Sequence, residues 1–317
     1  MNEKLNMGRA NLQEFSSTLQ KLAENHKNIF VVTSDSRGSG KLVAFAEKLP
    51  EQMVEVGIAE QNLVGVSAGL ASTGKKVFTV SPASFLTTRS LEQVKNDVAY
   101  SDQSVVLVGI SGGVSYGSLG STHHSLHDVA VFRAIHNIDV VVPADNFETR
   151  ETIIAASKSN KPVFVKFGKK PMPDLPRVES SFRIGKASTI CKGNDIAFIA
   201  CGETVAPAYE AAGLLEEKGI SAEVISMHTV KPLDEEAILI SAKKCMAIIT
   251  VEEHSTNGGL GEACASLLIQ NRICKPFKIV GFPDEDTVSG SQIEIFKHYG
   301  ITAEGLFETA KNLLNEE

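Results

Sequence analysis

The sequence predicts an α/β fold in two domains, each a mostly parallel sheet flanked by helices, and three observations carry that prediction. Nearly continuous apolar, β-rich runs alternate with helical stretches along most of the chain. A segment with three prolines and no periodicity cuts this alternation in two. A length of 317 residues, 43% of them hydrophobic, is enough for two separate cores.

A polar helix over residues 10–26 comes first. The apolar runs of the first half are Ile29-Phe-Val-Val-Thr33, Lys76-Val-Phe-Thr-Val80, Ser104-Val-Val-Leu-Val-Gly-Ile110, Ile138-Asp-Val-Val-Val142 and Pro162-Val-Phe-Val-Lys166. Helical stretches over residues 60–73, 88–100, 126–135 and 146–159 separate them. Strands apolar along their whole length, rather than at alternate positions, belong to a parallel sheet covered on both faces. Gly168-Lys-Lys-Pro-Met-Pro-Asp-Leu-Pro176 then reads as a linker. In the second half Ile196-Ala-Phe-Ile-Ala200, Ala222-Glu-Val-Ile-Ser226, Met246-Ala-Ile-Ile-Thr-Val251 and Lys278-Ile-Val280 are the strands. Residues 204–218, 234–243 and 261–273 are its helices. The domains accordingly run over residues 1–172 and 183–317, with residues 173–182 between them.

Composition narrows the function. A net charge of -7 and a pI of about 5.7 argue against a nucleic-acid or anionic-membrane partner. No apolar run reaches the length of a membrane span, and Met1-Asn-Glu-Lys-Leu-Asn-Met7 lacks a secretory pattern, so a cytoplasmic location is expected. Cys191, Cys201, Cys245, Cys264 and Cys274 form no CxxC pair and are expected to be reduced, buried, structural thiols. With no tryptophan and only 6% aromatic residues, a stacking platform for bases is unsupported.

The most informative stretch is Met53-Val-Glu-Val-Gly-Ile-Ala-Glu-Gln-Asn62. A short strand runs into a glycine, and a helix opens with Glu60 in its first turn. The helix continues as Leu63-Val-Gly-Val-Ser-Ala-Gly-Leu-Ala71, small enough for another backbone to approach closely. A carboxylate beside such an apolar surface is partly desolvated, which suits proton exchange with a buried nitrogen. The plainer alternative is an acid favoured by the helix dipole. Asp35 and Ser39 follow the first strand, at the carboxyl edge where α/β sheets bind ligands. His123, His127 and Asp128 have helix-like ligand spacing, but no cysteine or further ligand accompanies them, and no metal site is expected. Gly258-Gly-Leu-Gly261 has the wrong spacing for a dinucleotide fingerprint, so close packing of a helix is its expected use.

Five motifs occur in a meaningful order: VGIAEQN at residues 56–62, GSTHHS at 120–125, VVPADNFET at 141–149, HTVKPLD at 228–234 and EEHSTNGGLGE at 252–262. Together they resemble the C-terminal half of transketolase-like thiamine-diphosphate enzymes, a pyrimidine-binding domain followed by a smaller transketolase C-terminal domain. The resemblance covers nearly the whole chain. It implies that Glu60 protonates the pyrimidine nitrogen N1′ of the cofactor and that Asp35 lies beside it. Phe85 would supply the ring on which the pyrimidine rests, or serve as a core phenylalanine at a strand–helix junction. His123 would face the substrate as a proton donor. Ser39 and Lys169 would lie near a substrate phosphate, Lys169 standing where relatives commonly have arginine. Plain solvated surface charge is the competing reading of Arg37, Lys41, Lys169 and Lys170.

Two departures shape the expectation further. The Gly-Asp-Gly that relatives use for magnesium and diphosphate is absent. The resemblance therefore implies an N-terminal partner subunit that holds the Mg2+ and the diphosphate, in an α2β2 assembly with the cofactor at the interface. In the loop Ser111-Gly-Gly-Val-Ser-Tyr-Gly-Ser-Leu-Gly120, Ser111 stands where the family has a histidine and Leu119 where it has an aspartate. Leucine cannot accept a hydrogen bond from a sugar hydroxyl, so a branched or sulfonated ketose is expected rather than a standard pentose phosphate. The activity implied is transfer of a two-carbon ketol unit from a ketose to an aldose. Its alternatives are the beta subunit of a 2-oxoacid dehydrogenase and a non-catalytic scaffold subunit.

Overall fold

The computed structural model describes residues 5–315, organised around two large sheets. The first has seven strands, in the spatial order Thr229–Lys231, Asp139–Val141, Val163–Phe167, Val105–Ile110, Lys76–Pro82, Ile29–Thr33 and Met53–Glu55. All pair in parallel except Thr229–Lys231, which runs antiparallel along Asp139–Val141 at the edge. Lys76–Pro82, Val105–Ile110 and Val163–Phe167 are buried at every position, which is why they read as unbroken apolar runs. The second sheet orders Phe277–Phe282, Ala247–Ser255, Ile196–Ala200, Ala222–Ser226 and Ser188–Cys191, parallel except for the last. Helices cover both. In Asn11–Asn25, four-residue spacing puts Phe15, Leu19 and Ala23 on one fully buried face.

Residues 88–100 do not form the single helix expected. The chain makes Ala83–Arg89, breaks at Ser90, and resumes as Leu91–Gln93 and a wider π-type turn, Val94–Tyr100. Ser90 Oγ donates to the Leu86 carbonyl oxygen at 2.6 Å, a back-bond of the kind that bends helices. The proline-rich segment read as a linker contributes a strand, Pro171–Pro173, paired antiparallel with Met7–Ala10. Only Met172 within it has a backbone N–H, so it stays short and at an edge. The strand Ser188–Cys191 and the helices Gln292–His298 and Ala303–Asn315 also escaped the sequence reading. Of the cysteines, Cys201, Cys245 and Cys264 are buried as expected, but Cys191 is half-buried and Cys274 exposed. Among the described residues no helix is long and apolar enough to cross a membrane.

A polar seam joins the two sheets. Lys166, buried in the strand Val163–Phe167, donates to Asp128 Oδ1 at 2.8 Å and to the carbonyls of Ser125 and Glu253. Burial works to raise the Asp128 carboxyl, but the Lys166 ammonium, His254 and the Ser125 hydroxyl together hold it below its usual range. Arg177, in the segment joining the halves, pairs with Asp145 at 2.7 Å and Glu148 at 3.4 Å, and Ser226 of the second sheet donates to Glu148. Glu252 accepts the N–H groups of Leu260 and Gly261, which open the helix Leu260–Gln270. The neighbouring glycines make room for this: a Cβ on Gly259 would lie 1.9 Å from Glu252 Oε2.

Candidate active site

Every residue singled out from the sequence follows the carboxyl end of a strand in the first sheet. Asp35 and Ser39 follow Ile29–Thr33, Glu60 follows Met53–Glu55, and Phe85 follows Lys76–Pro82. Ser111 and His123 come after Val105–Ile110, and Lys169 after Val163–Phe167. The strand Ile29–Thr33 has Met53–Glu55 on one side and Lys76–Pro82 on the other, so the chain reverses its direction of spread there. Such a reversal opens a crevice between the loops that diverge from it.

Gly57, at φ +74°, turns the chain from the strand, and Glu60 becomes the first residue of the helix Glu60–Ser72. Its carboxylate is only 5% exposed. The sequence suggested an acid set alone against an apolar surface. Instead Arg89 Nη1 donates to Glu60 Oε1 at 2.8 Å. The Arg89 guanidinium also lies 3.9 Å from the centre of the Phe85 ring. Phe85 meets the His123 ring edge-on at 5.3 Å, His123 meets Tyr116 at 5.2 Å, and Lys169 Nζ sits 3.9 Å over Tyr116. Glu60, Phe85, His123 and Lys169 are thus joined in one row, through Arg89 and Tyr116.

The two adjacent histidines differ sharply. His124 is buried, held by the Gly117 carbonyl at 2.9 Å and the Thr287 hydroxyl at 3.0 Å, and burial lowers its imidazole pKa. His123 touches Thr122 and the two aromatic rings and is half-buried, so its ring stays partly open to solvent. Burial raises the Tyr116 phenol, with Ser111 beside it. The Ser111 hydroxyl is fully buried and has no hydrogen-bond partner of standard geometry. Burial lowers the Lys169 ammonium, and Lys41 lowers it further by like charge, so two cations face the same space. Asp35 and Ser39 stand on the neighbouring loop. Among the described residues Asp35 donates its N–H to Glu55 at 2.7 Å and Ser39 its hydroxyl to Ser36, and neither touches the row.

Sequence reasoning missed Arg89, Tyr116 and Glu55. Arg89 was detectable, since it lies four residues after Phe85 on the helix Ala83–Arg89 and shares its face. Glu55 also accepts the Gly57 N–H at 3.1 Å and so ties the Asp35 loop to the Glu60 turn. Among the described residues no three His, Cys, Asp or Glu side chains are grouped to hold a metal ion. Asp128, in the spacing that suggested zinc, is committed to Lys166.

Residues 9–173 match the family model for the transketolase pyrimidine binding domain, and residues 185–306 match that for the transketolase C-terminal domain. This chain belongs to the transketolase family. It is 49% identical to an apulose-4-phosphate transketolase subunit of Phocaeicola vulgatus, over 94% of this chain and 95% of that one. It is 35% identical to a 6-deoxy-6-sulfo-D-fructose transketolase subunit of a Clostridium species, over 92% of this chain and 90% of the relative. A solved split-gene transketolase, described as an inactive beta4 tetramer, superposes with a TM-score of 0.86 at 32% identity, covering 97% of this chain and 98% of that one. Transketolase-family membership implies thiamine diphosphate as the cofactor, and the whole row lies within the residues that match the pyrimidine binding domain.

Proposed function

We propose that this chain is the C-terminal subunit of a thiamine-diphosphate-dependent transketolase that moves a two-carbon ketol unit from an anionic ketose to an aldose. The observation that carries the reading is the continuous row from Glu60 to Lys169 along one sheet edge. The residues fit the pyrimidine end of the cofactor. A nearly buried carboxylate stands at a helix terminus, and an aromatic ring lies close by, in contact with the arginine that holds that carboxylate. Likeness to a split-gene transketolase supports an N-terminal partner subunit that would hold Mg2+ and the diphosphate, in an α2β2 assembly in the cytoplasm. We divide the chain at residues 173–182, where the first family-model match ends and before the second begins at residue 185.

Thiamine diphosphate, when bound, supplies the electron sink for breaking and making the ketose carbon–carbon bond. Glu60 holds the proton at the pyrimidine N1′, and Arg89 orients that carboxyl. Phe85 offers the ring surface, and Asp35, on the neighbouring loop, would lie beside the cofactor. His123 donates to the oxygen on which negative charge develops. Lys169, with Lys41 and Ser39 nearby, takes the anionic end of the sugar. Ser111 and Leu119 stand in the loop that would otherwise offer a histidine and an aspartate to a standard pentose phosphate. Two relatives named for a branched sugar phosphate and a sulfonated sugar support an unusual anionic ketose, and the higher identity favours the branched phosphate.

The test is reconstitution with the N-terminal subunit, thiamine diphosphate and Mg2+, followed by glycolaldehyde transfer from branched, sulfonated and standard ketoses. Turnover is expected only in the mixture, and best with a branched ketose phosphate. A mixture that binds the cofactor yet turns over no ketose would remove the reading.

A further inference from the structure

Two carboxyls that this chemistry does not use lie together beneath the site. Glu203 belongs to the turn Gly202–Thr204, just after the strand Ile196–Ala200, and Glu253 to the strand Ala247–Ser255. Each is only 7% exposed. A single amide nitrogen, Gln292 Nε2, donates to both, at 2.7 Å to Glu203 and 2.9 Å to Glu253. Oxygens bonded to one nitrogen lie within about 5 Å of each other. Two full charges so close and so dry would repel strongly.

Each carboxyl also supports a segment of the row. Glu253 Oε1 accepts the Val114 N–H at 2.9 Å, two residues before Tyr116. A Cβ on Gly113 would fall 2.0 Å from Glu253 Cδ. Gly113 in turn pairs with Ser125, so the same support reaches the His123 segment. A Cβ on Gly168 would fall 2.0 Å from Glu203 Oε1, and Gly168 directly precedes Lys169. At both positions a side chain would collide with the carboxyl, so glycine is what lets the backbone pass.

The charged neighbours are few. Lys166 and His254 share the small enclosed space with the pair, and Asp128 occupies the Lys166 ammonium. His127 lies next to Asp128 and feels both it and Lys166. Lys170, Glu210 and Glu304 line the adjoining groove with Glu203, and Lys170 also acts on Glu294 of the Gln292 helix. Among the described residues none of these cations makes a side-chain ion pair with either Glu203 or Glu253.

We infer that Glu203 and Glu253 hold a single proton between the two of them, on one carboxyl or the other across the Gln292 bridge, and that this proton positions the Tyr116–His123 loop and the Lys169 segment for substrate. Burial pushes Glu253 up to about 8, with the Glu203 charge adding to it, and burial raises Glu203 as well. Below that value the pair carries at most one negative charge, which Gln292 and Val114 can serve together. Above it both carboxylates are charged, and their repulsion draws the two supports apart. The inference rests on the transketolase reading only for its effect on activity.

The test is NMR of the full chain with labelled tyrosine rings, titrated from about pH 6 to about pH 9.5, a range that brackets the Glu253 value. Loss of one signal in Tyr116→Phe identifies Tyr116 among the four tyrosines. The Tyr116 signal is expected to shift through a one-proton transition near pH 8. In Glu253→Gln, a fixed neutral isostere, the transition disappears and the signal keeps its low-pH position. In Glu203→Gln the midpoint falls by about one pH unit, because the repelling charge is gone. A transition unchanged in both variants, or absent from the parent chain, overturns the inference. Should Glu253→Gln fail to fold, the Glu203→Gln midpoint decides alone. In the reconstituted enzyme KM for the anionic ketose rises across the same midpoint while kcat does not, and Glu253→Gln flattens that profile. Expected NMR shifts without turnover of any ketose would sink the transketolase reading and leave the pair standing.

Discussion

At residues 56–60 a strand passes through Gly57 into a helix that opens with Glu60; at residues 255–261 another passes through Gly258 and Gly259 into the helix Leu260–Gln270. Both turns carry glycine and both set a carboxylate near a helix N-terminus. In the second, Glu252 folds back onto the helix and takes two of its free N–H groups, so the space is filled by the chain itself. In the first, the acid belongs to the helix and, itself nearly buried, pairs with Arg89, whose side chain is 46% exposed. A helix terminus that satisfies itself contributes stability, whereas one whose acid faces a half-open cation and an aromatic ring is left for a ligand.

The contrast can be broken most directly at Glu60. In the reconstituted enzyme Glu60→Gln is expected to lower kcat roughly a hundred- to ten-thousand-fold while leaving the thermal midpoint unchanged. Equal loss of activity and melting temperature would make the open turn a structural device like the closed one. For Glu252→Ala the expectation is reversed. Two N–H groups lose their partner beside a new cavity, and denaturant titration should register a loss of about 4 kcal/mol. An unaffected midpoint there would erase the distinction from the other side.

A smaller effect concerns the seam as a titrating region. Burial pushes the His228 imidazole down to about 4, with the Arg177 charge adding to it. In the unfolded chain the same ring takes its proton at about 6.5. Between these values the unfolded state binds more protons, so stability is lost as pH falls through that window, by at most about 3 kcal/mol. Unfolding curves at several pH values should show this slope in the parent chain and a flatter one in His228→Gln. The smallest change is at Gly65, on the open helix, where an added Cβ would meet nothing within 4 Å. Gly65→Ala should stabilise the chain by about 0.5–1 kcal/mol through helix propensity alone. If it also weakens assembly on gel filtration, that small-residue face is a docking surface rather than merely solvated.

The inner strands were legible because burial on both faces leaves a continuous apolar signature, as in Val105–Ile110 and Val163–Phe167. Glu60 and His123 stood out through their motifs, and both stand in the row. Tyr116 was not, because an aromatic ring in a glycine- and serine-rich loop belongs to no periodic pattern and gains its meaning from His123 and Lys169 across space. The same holds for Glu203, Glu253 and Gln292, which meet from three separated parts of the chain. Pro171–Pro173 hid as a strand because prolines signal a break, and its pairing with Met7–Ala10 spans nearly the whole first half.

The strand Thr229–Lys231 lies beyond the proline-rich crossing yet closes the edge of the first sheet along Asp139–Val141. A gene fragment ending in that crossing would therefore leave the first half with an uncovered row of N–H and carbonyl groups beside Val140 and Val141. Such an edge recruits strands from other molecules, and the shortened product should aggregate rather than stay in solution. For expression work, the unit that can be cut out is the whole of both halves.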